Sequence, residues 1–228
     1  MQRYGKILIY ANLCVKKCPI INQECEDRPI ATYAAKNKDK FIQQSSSSGG
    51  VFTLLAQSII QEGGVVFGAR WNDKWEVEHD YAEDIEGVKA FMRSKYVQSV
   101  VGDTLRQAKQ FLDAGRWVLY SGTPCQLGGL RAYLGKEYEK LIQVDLICHG
   151  VPSPKLWQLF LKETLDSYSV SHKDVAAISF RDKSKGWRDY RLAIELKSGK
   201  KIVLGKNRNG YMKAFAANMS LRPSCYEC

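Results

Sequence analysis

The residues with the most chemistry to offer are the cysteines. There are seven, and they fall in separated clusters: Cys14, Cys18 and Cys25, then Cys125 and Cys148, then Cys225 and Cys228. A chain of 228 residues buries enough surface to fold without disulfide staples. An odd number of clustered cysteines, in a chain whose first residues lack a secretory pattern, reads as metal ligation or thiol chemistry. Cys225-Tyr226-Glu227-Cys228 spaces two thiolates to chelate one metal ion or cluster. A closed site takes four ligands, so this half needs partners, and Cys125 and Cys148 can supply them. The same spacing suits structural zinc. Cys14-Val15-Lys16-Lys17-Cys18-Pro19 matches the tail of the ferredoxin run C-x2-C-x2-C-x3-C-P, without the two cysteines that precede that tail.

Three segments put reactive groups where strands hand over to helices. Ser121-Gly122-Thr123-Pro124-Cys125-Gln126 leads from a buried strand into a helix. It sets Cys125 in the first turn, where the helix dipole favours a thiolate that can bind metal or attack an electrophile. The alternative is that Cys125 is a small buried hydrophobe. Cys148-His149-Gly150-Val151-Pro152 ends the next strand with a second cysteine, an imidazole and a rigid turn. A thiol enzyme using Cys125 as nucleophile and His149 as proton carrier is therefore one reading. Ser45-Ser46-Ser47-Ser48-Gly49-Gly50 precedes a helix. Its hydroxyls and glycine backbone can hold a phosphate, although a serine cap followed by a packing glycine explains part of it.

The elements that position these groups follow from hydrophobic spacing. Val51, Leu54, Leu55, Ile59 and Ile60 mark a helix closed by Gly63-Gly64. Val65 to Ala69 is a buried strand, and Trp75 to Tyr81 alternates as a half-exposed one. Helical stretches at 102–114, 125–134 and 153–165 alternate with strands at 117–120 and 141–147, which predicts a mostly parallel α/β sheet with helices on both faces. The strands at 176–180, 190–196 and 201–204, with Ser198-Gly199 as a hairpin turn, predict an antiparallel extension. Residues 1–40 read as a small cysteine-bearing appendage and a linker strand.

Composition excludes several classes. A content of 45% hydrophobic and 25% charged residues disfavours disorder. The longest apolar runs fall short of a membrane span. Residues 1–13 offer no long apolar region and no small-residue cleavage site, so a cytoplasmic location is expected. The net charge of +10 is spread along the chain with no nucleic-acid motif, which points instead to an acidic partner or an anionic cofactor.

Several segments together are similar to one family. Ser45 to Phe52, Arg93-Ser94-Lys95-Tyr96-Val97-Gln98-Ser99, Ser121 to Gln126, Cys148 to Ser153, Phe180-Arg181-Asp182-Lys183 with Gly186-Trp187, and Leu221 to Cys228 resemble the coenzyme F420 hydrogenase/dehydrogenase beta-subunit family. The resemblance covers nearly all of residues 30–228. It implies FAD and a [4Fe-4S] cluster on an α/β body that moves electrons between a two-electron carrier, F420-like or other, and iron–sulfur centres. Carried onto this chain, Ser46, Ser47, Ser48, Gly49 and Gly50, with Gly122, Thr123 and Pro124, form flavin-side loops. Lys95 is a cationic contact to an anionic cofactor or substrate, and joins Cys125 and His149 as a candidate catalytic residue. Candidate metal ligands are Cys125, Cys148, Cys225 and Cys228, with Cys14 and Cys18 in the ferredoxin remnant.

Two domains are expected. Residues 1–30 form a partial ferredoxin-like iron–sulfur remnant, and residues 31–228 form the flavin/iron–sulfur domain, incomplete at its carboxyl end. The expected partners are a redox protein or ferredoxin and a small-molecule two-electron carrier, with no nucleic acid and no membrane span. A non-catalytic iron–sulfur electron-transfer or assembly subunit is the other reading of the same motifs.

Overall fold

The computed structural model describes residues 29–186, 189, 191–205 and 208–226. Cys14, Cys18, Cys25 and Cys228 lie outside the described residues, and so does nearly all of the expected ferredoxin remnant.

In the segment expected to be a linker strand, residues 36–39 lead into a short helix, α1 (Lys40–Ser45). The Asp39 carboxylate starts it by accepting from the N–H groups of Phe41 and Ile42, the usual work of an aspartate N-cap. The next helix, α2 (Val51–Gln61), has Gly50 at its N-cap with φ 76° and no side-chain cap. The serines before it therefore have other partners, described below.

Four strands form the principal sheet: β1 (Val65–Trp71), β2 (Val77–Ala82), β3 (Val118–Gly122) and β4 (Leu141–Asp145). Their order is β2-β1-β3-β4, with β1, β3 and β4 parallel and β2 antiparallel at the edge. Alternation divides the buried residues between two faces. Val65, Phe67, Val118 and Tyr120 pack beneath α4 (Thr104–Asp113) and α5 (Pro124–Leu134), which follow a one-turn helix, α3 (Ile85–Val88). Val66 and Leu119 face the opposite way, toward Ala56 and Ile59 of α2 and Val88 and Phe91. Both faces are covered, as expected for a parallel sheet.

The carboxyl-terminal strands form a sheet of their own. Strands β5 (Val175–Asp182), β6 (Arg191–Leu196) and β7 (Lys201–Leu204) are antiparallel in that order. They stand apart because they bury a separate core. Phe180, Leu192, Ile194 and Ile202 pack with Trp157, Leu161 and Leu165 of α6 (Pro154–Ser167) and with Tyr211 of α7 (Gly210–Ala216). Val77 of β2 belongs to the same cluster and ties the two sheets together. The Trp157 indole N–H donates to the Trp75 carbonyl at 2.8 Å, so the largest core side chain satisfies its polar atom at that junction.

Candidate functional site at the carboxyl end of the parallel sheet

The loops after β3 and β4 leave neighbouring strands in the same direction. Gly122 pairs with Asp145, and the backbone N–H of Leu146 donates to the Gly122 carbonyl at 3.1 Å. In the first loop the Gln126 side chain folds back to accept from the Thr123 N–H at 3.0 Å and donates to Ser99 Oγ at 2.8 Å. Pro124 and Cys125 thereby open α5, with Cys125 exposed and its Sγ 3.2 Å from Thr123 Oγ1. In the second loop Cys148 is exposed, and its Sγ accepts from the Gly150 N–H at 3.3 Å.

The segment carrying Cys225 arrives by a single bridge. Pro152 and Leu221 pair antiparallel, and the Arg222 N–H donates to the Val151 carbonyl at 3.1 Å. Gly150 permits the approach: its φ is 125°, and a Cβ there would lie 2.9 Å from Leu221. Beyond the bridge, Cys225 sits in a turn, its N–H donating to the Arg222 carbonyl. The chain thus brings the Cys225 segment alongside the Cys148 loop, next to the loop of Cys125. Among the described residues no three His, Cys, Asp or Glu side chains are grouped to hold a single metal ion. The thiols of Cys125 and Cys148 are exposed on adjoining loops, and the Cys148 sulfur carries a backbone N–H.

Cys125 and His149 are not a nucleophile–base pair in this arrangement. The His149 Nε2 is 3.3 Å from the Phe215 carbonyl and its ring stands edge-on to Phe215, whereas Cys125 contacts Thr123.

The serine loop is held from two sides. Asn37 is buried; its N–H donates to the Gly49 carbonyl at 2.7 Å and its side-chain amide to the Gly50 carbonyl at 3.4 Å. A Cβ on Gly49 would lie 2.7 Å from the Ala35 carbonyl, so only glycine allows this contact. From the other side Ser47 Oγ accepts from the Ser94 N–H at 2.7 Å, and Arg93 Nε donates to the Ser45 carbonyl at 3.0 Å. Ser46 Oγ is turned back onto the Ile42 carbonyl, and Ser48 is exposed. This packing brings the serine loop and the segment Arg93 to Ser99 together, and Gln126 links that segment to the Cys125 loop.

Lys95 is partly buried in this assembly. Its ammonium donates to the carbonyls of Met92 and Arg93 at 3.1 and 3.3 Å, without a carboxylate partner among the described residues. Burial, reinforced by the charge of Arg93, lowers its pKa to about 7.

His79, on β2, shares the field of Lys95. It is 7% exposed, stacks on Tyr120 and points Nε2 at the Ser121 carbonyl, 3.1 Å away. Burial holds its pKa below the usual range; the Ser121 carbonyl opposes the shift and the charge of Lys95 adds to it. The imidazole is accordingly neutral, donating from Nε2, and its buried Nδ1 has no hydrogen-bond partner among the described residues. Spacing in the sequence gives His79 only a place on a half-exposed strand, and Asn37 sits in a run of lysines; neither position carries a motif.

Comparisons with known proteins fit this layout. No curated protein matches the sequence. A chain in the solved structure titled as a xenon derivatization of the F420-reducing [NiFe] hydrogenase complex from Methanosarcina barkeri shares the fold. It does so with a TM-score of 0.57 and 19% identity over 90% of this chain and 69% of that one. Residues 115–228, from just before β3 through the Cys225 segment, match the family model for the carboxyl-terminal region of coenzyme F420 hydrogenase/dehydrogenase beta subunits. That match takes in the loops of Cys125, Cys148 and Cys225 together, and the chain belongs to this family of coenzyme F420 hydrogenase/dehydrogenase beta subunits.

Proposed function

We propose that the chain is an oxidoreductase subunit that binds FAD and a [4Fe-4S] cluster at the carboxyl end of its parallel sheet. It would pass electrons between a small two-electron carrier and an iron–sulfur partner protein. The observation that carries this reading is the convergence of the Cys125 loop, the Cys148 loop and the Cys225 strap on one end of one sheet, beside a loop of serines and glycines. Ligands of open α/β sheets sit at that end. Flavin exchanges a hydride, two electrons and a proton, with one partner, and single electrons with another.

In this reading Cys125, Cys148 and Cys225, with Cys228, are the sulfur ligands. Backbone and hydroxyl groups of Ser46 to Gly50 and Gly122 to Pro124 orient the flavin. Lys95 supplies positive charge next to it. With a pKa near 7, Lys95 can hold a proton at its Nζ when negative charge develops nearby and release it when that charge leaves. The neutral His79 behind it leaves Lys95 as the cation of this pair, so the proton is held at one site.

The test is an absorption spectrum of the anaerobically purified chain, with flavin, iron and sulfide assayed on the same sample. Flavin bands over a broad iron–sulfur shoulder are expected. A colourless protein that stays colourless after anaerobic reconstitution with FAD, iron and sulfide would overturn the proposal.

A further inference from the structure

The hairpin between β1 and β2 carries chemistry that the site above does not use. Trp71 and Trp75 wall a cavity of about 500 Å³ whose other side chains include Asp73, His172, Lys173 and Lys197. That volume suits a small organic ligand. Both tryptophans are only partly buried. Trp71 rests on Trp157 and Phe180, with ring centroids 5.4 and 6.2 Å away, so the core fixes its position. Trp75 stands against it at 64°, with 6.1 Å between centroids, and the two indoles form a corner.

Trp75 is held in this corner against its backbone preference. Its φ of 56° lies in the left-handed region that bulky residues avoid. The hydrogen bonds of the turn impose that conformation. Asn72 Oδ1 accepts from the N–H groups of Lys74 and Glu76 at 2.9 and 3.0 Å, and the Trp75 N–H donates to the Asn72 carbonyl at 3.0 Å. The Trp75 carbonyl in turn accepts from the Trp157 indole and the Gln158 amide at 2.8 and 3.1 Å. Glycine would serve such a turn without strain, yet the position carries an indole. Among the described residues the indole N–H groups of Trp71 and Trp75 have no acceptor, in contrast to that of Trp157. A strained aromatic residue whose ring is left partly uncovered beside a cavity points to a ligand.

The charged groups of the lining give the ligand's chemistry. Among the described residues the ammonium groups of Lys173 and Lys197 have neither a hydrogen bond nor an ion pair, and the His172 ring has no hydrogen bond. Two neighbouring carboxylates are already taken: Asp174 accepts from the Ser171 N–H and Glu76 from the Asn72 amide, each at 3.2 Å. Asp73 alone answers the two lysines of the lining, so one positive charge remains. We infer that this cavity is a binding site for an aromatic monocarboxylate. Its ring lies on one indole and meets the other edge-on, the arrangements that aromatic pairs favour, and its carboxylate accepts from the lysine ammonium groups. A phosphate ester would bring a second negative charge that this lining does not match, and among the described residues the lining has no arginine fork to hold it. The inference uses neither the cysteine loops, the serine loop nor Lys95, so it stands apart from the flavin reading.

The test is calorimetric titration of the full chain with 2-naphthoate at constant ionic strength, beside its uncharged counterpart 2-naphthamide. The proteins are wild type, Trp75→Gly, Lys197→Gln and, as a control outside the cavity, Lys136→Gln. Circular dichroism melts report the folding of each variant, and Lys197 is exposed, so its replacement leaves the core untouched. Wild type should bind the amide about tenfold more weakly than the acid, the loss of one charge-assisted hydrogen bond. Lys197→Gln should lower affinity for the acid by about the same factor and leave that for the amide unchanged. Trp75→Gly should weaken both, and Lys136→Gln should match wild type. Failure to bind any flavin would overturn the proposed function and leave this site standing. No binding of 2-naphthoate, equal affinity for acid and amide, or binding that folded Trp75→Gly and Lys197→Gln leave intact, would overturn the inference.

Discussion

Ser47 accepts a hydrogen bond from the backbone N–H of Ser94 at 2.7 Å. This contact joins two segments distant in the chain and fixes the outer wall of the candidate flavin site. Ser47→Ala removes the acceptor from a partly buried N–H, which costs about 1 kcal/mol. A small fall in melting temperature is expected, with a larger loss of FAD affinity, read by quenching of flavin fluorescence. Unchanged affinity with lowered stability would show that the loop is held but not used.

Replacing Cys125 or Cys148 with serine should strip iron and sulfide from the protein. Because both thiols are exposed, neither change opens a cavity, and the melting temperature of the metal-free chain should move little. Iron content that survives both single substitutions would remove these residues from the ligand set.

Lys95 gives a pH dependence whose sign can be worked out. Its folded pKa of about 7 lies below the unfolded value of 10.5. Between these values the unfolded chain holds a proton that the folded chain has released, so stability rises with pH through the window. One such group contributes a slope of at most about 1.4 kcal/mol per pH unit. Lys95→Met should therefore be more stable than wild type at pH 7, and the difference should shrink toward pH 10. An anionic ligand beside Lys95 would raise its pKa, so wild-type affinity for that ligand should fall between pH 7 and pH 9, and Lys95→Met should flatten that profile.

Gly150→Ala sets a methyl group against Leu221 at a φ of 125°. The backbone strain is on the order of 1–3 kcal/mol. The Pro152–Leu221 bridge should open before the sheets are disturbed. Faster proteolysis near residue 221, with loss of iron and a nearly native circular dichroism spectrum, is the expected pattern.

Much of the fold could be read from residue spacing because the buried strands declare themselves. Val65-Val66-Phe67 and Val118-Leu119-Tyr120 are each fully buried, and the helices between them have apolar residues at helical intervals. The separation of β5 to β7 from the main sheet could not be read, since it depends on Trp157 and Tyr211 giving those strands a core of their own. The loops of Cys125 and Cys148 follow from strand order alone. The approach of Cys225 does not: it depends on one antiparallel bridge that leaves no periodic trace. Asn37 and His79 escaped for a similar reason, each acting through a backbone carbonyl supplied by a distant segment.

The Pro152–Leu221 bridge also bears on the order of events during synthesis. Cys125 and Cys148 leave the ribosome well before Leu221, and α6, the whole antiparallel sheet and α7 must be made in between. A nascent chain therefore displays two exposed thiols on an already foldable parallel sheet while the strap that completes their surroundings is still untranslated. A group that needs the Cys225 segment as well as these loops can therefore be enclosed only after residue 221 has been made, and until then the two thiols are open to oxidation.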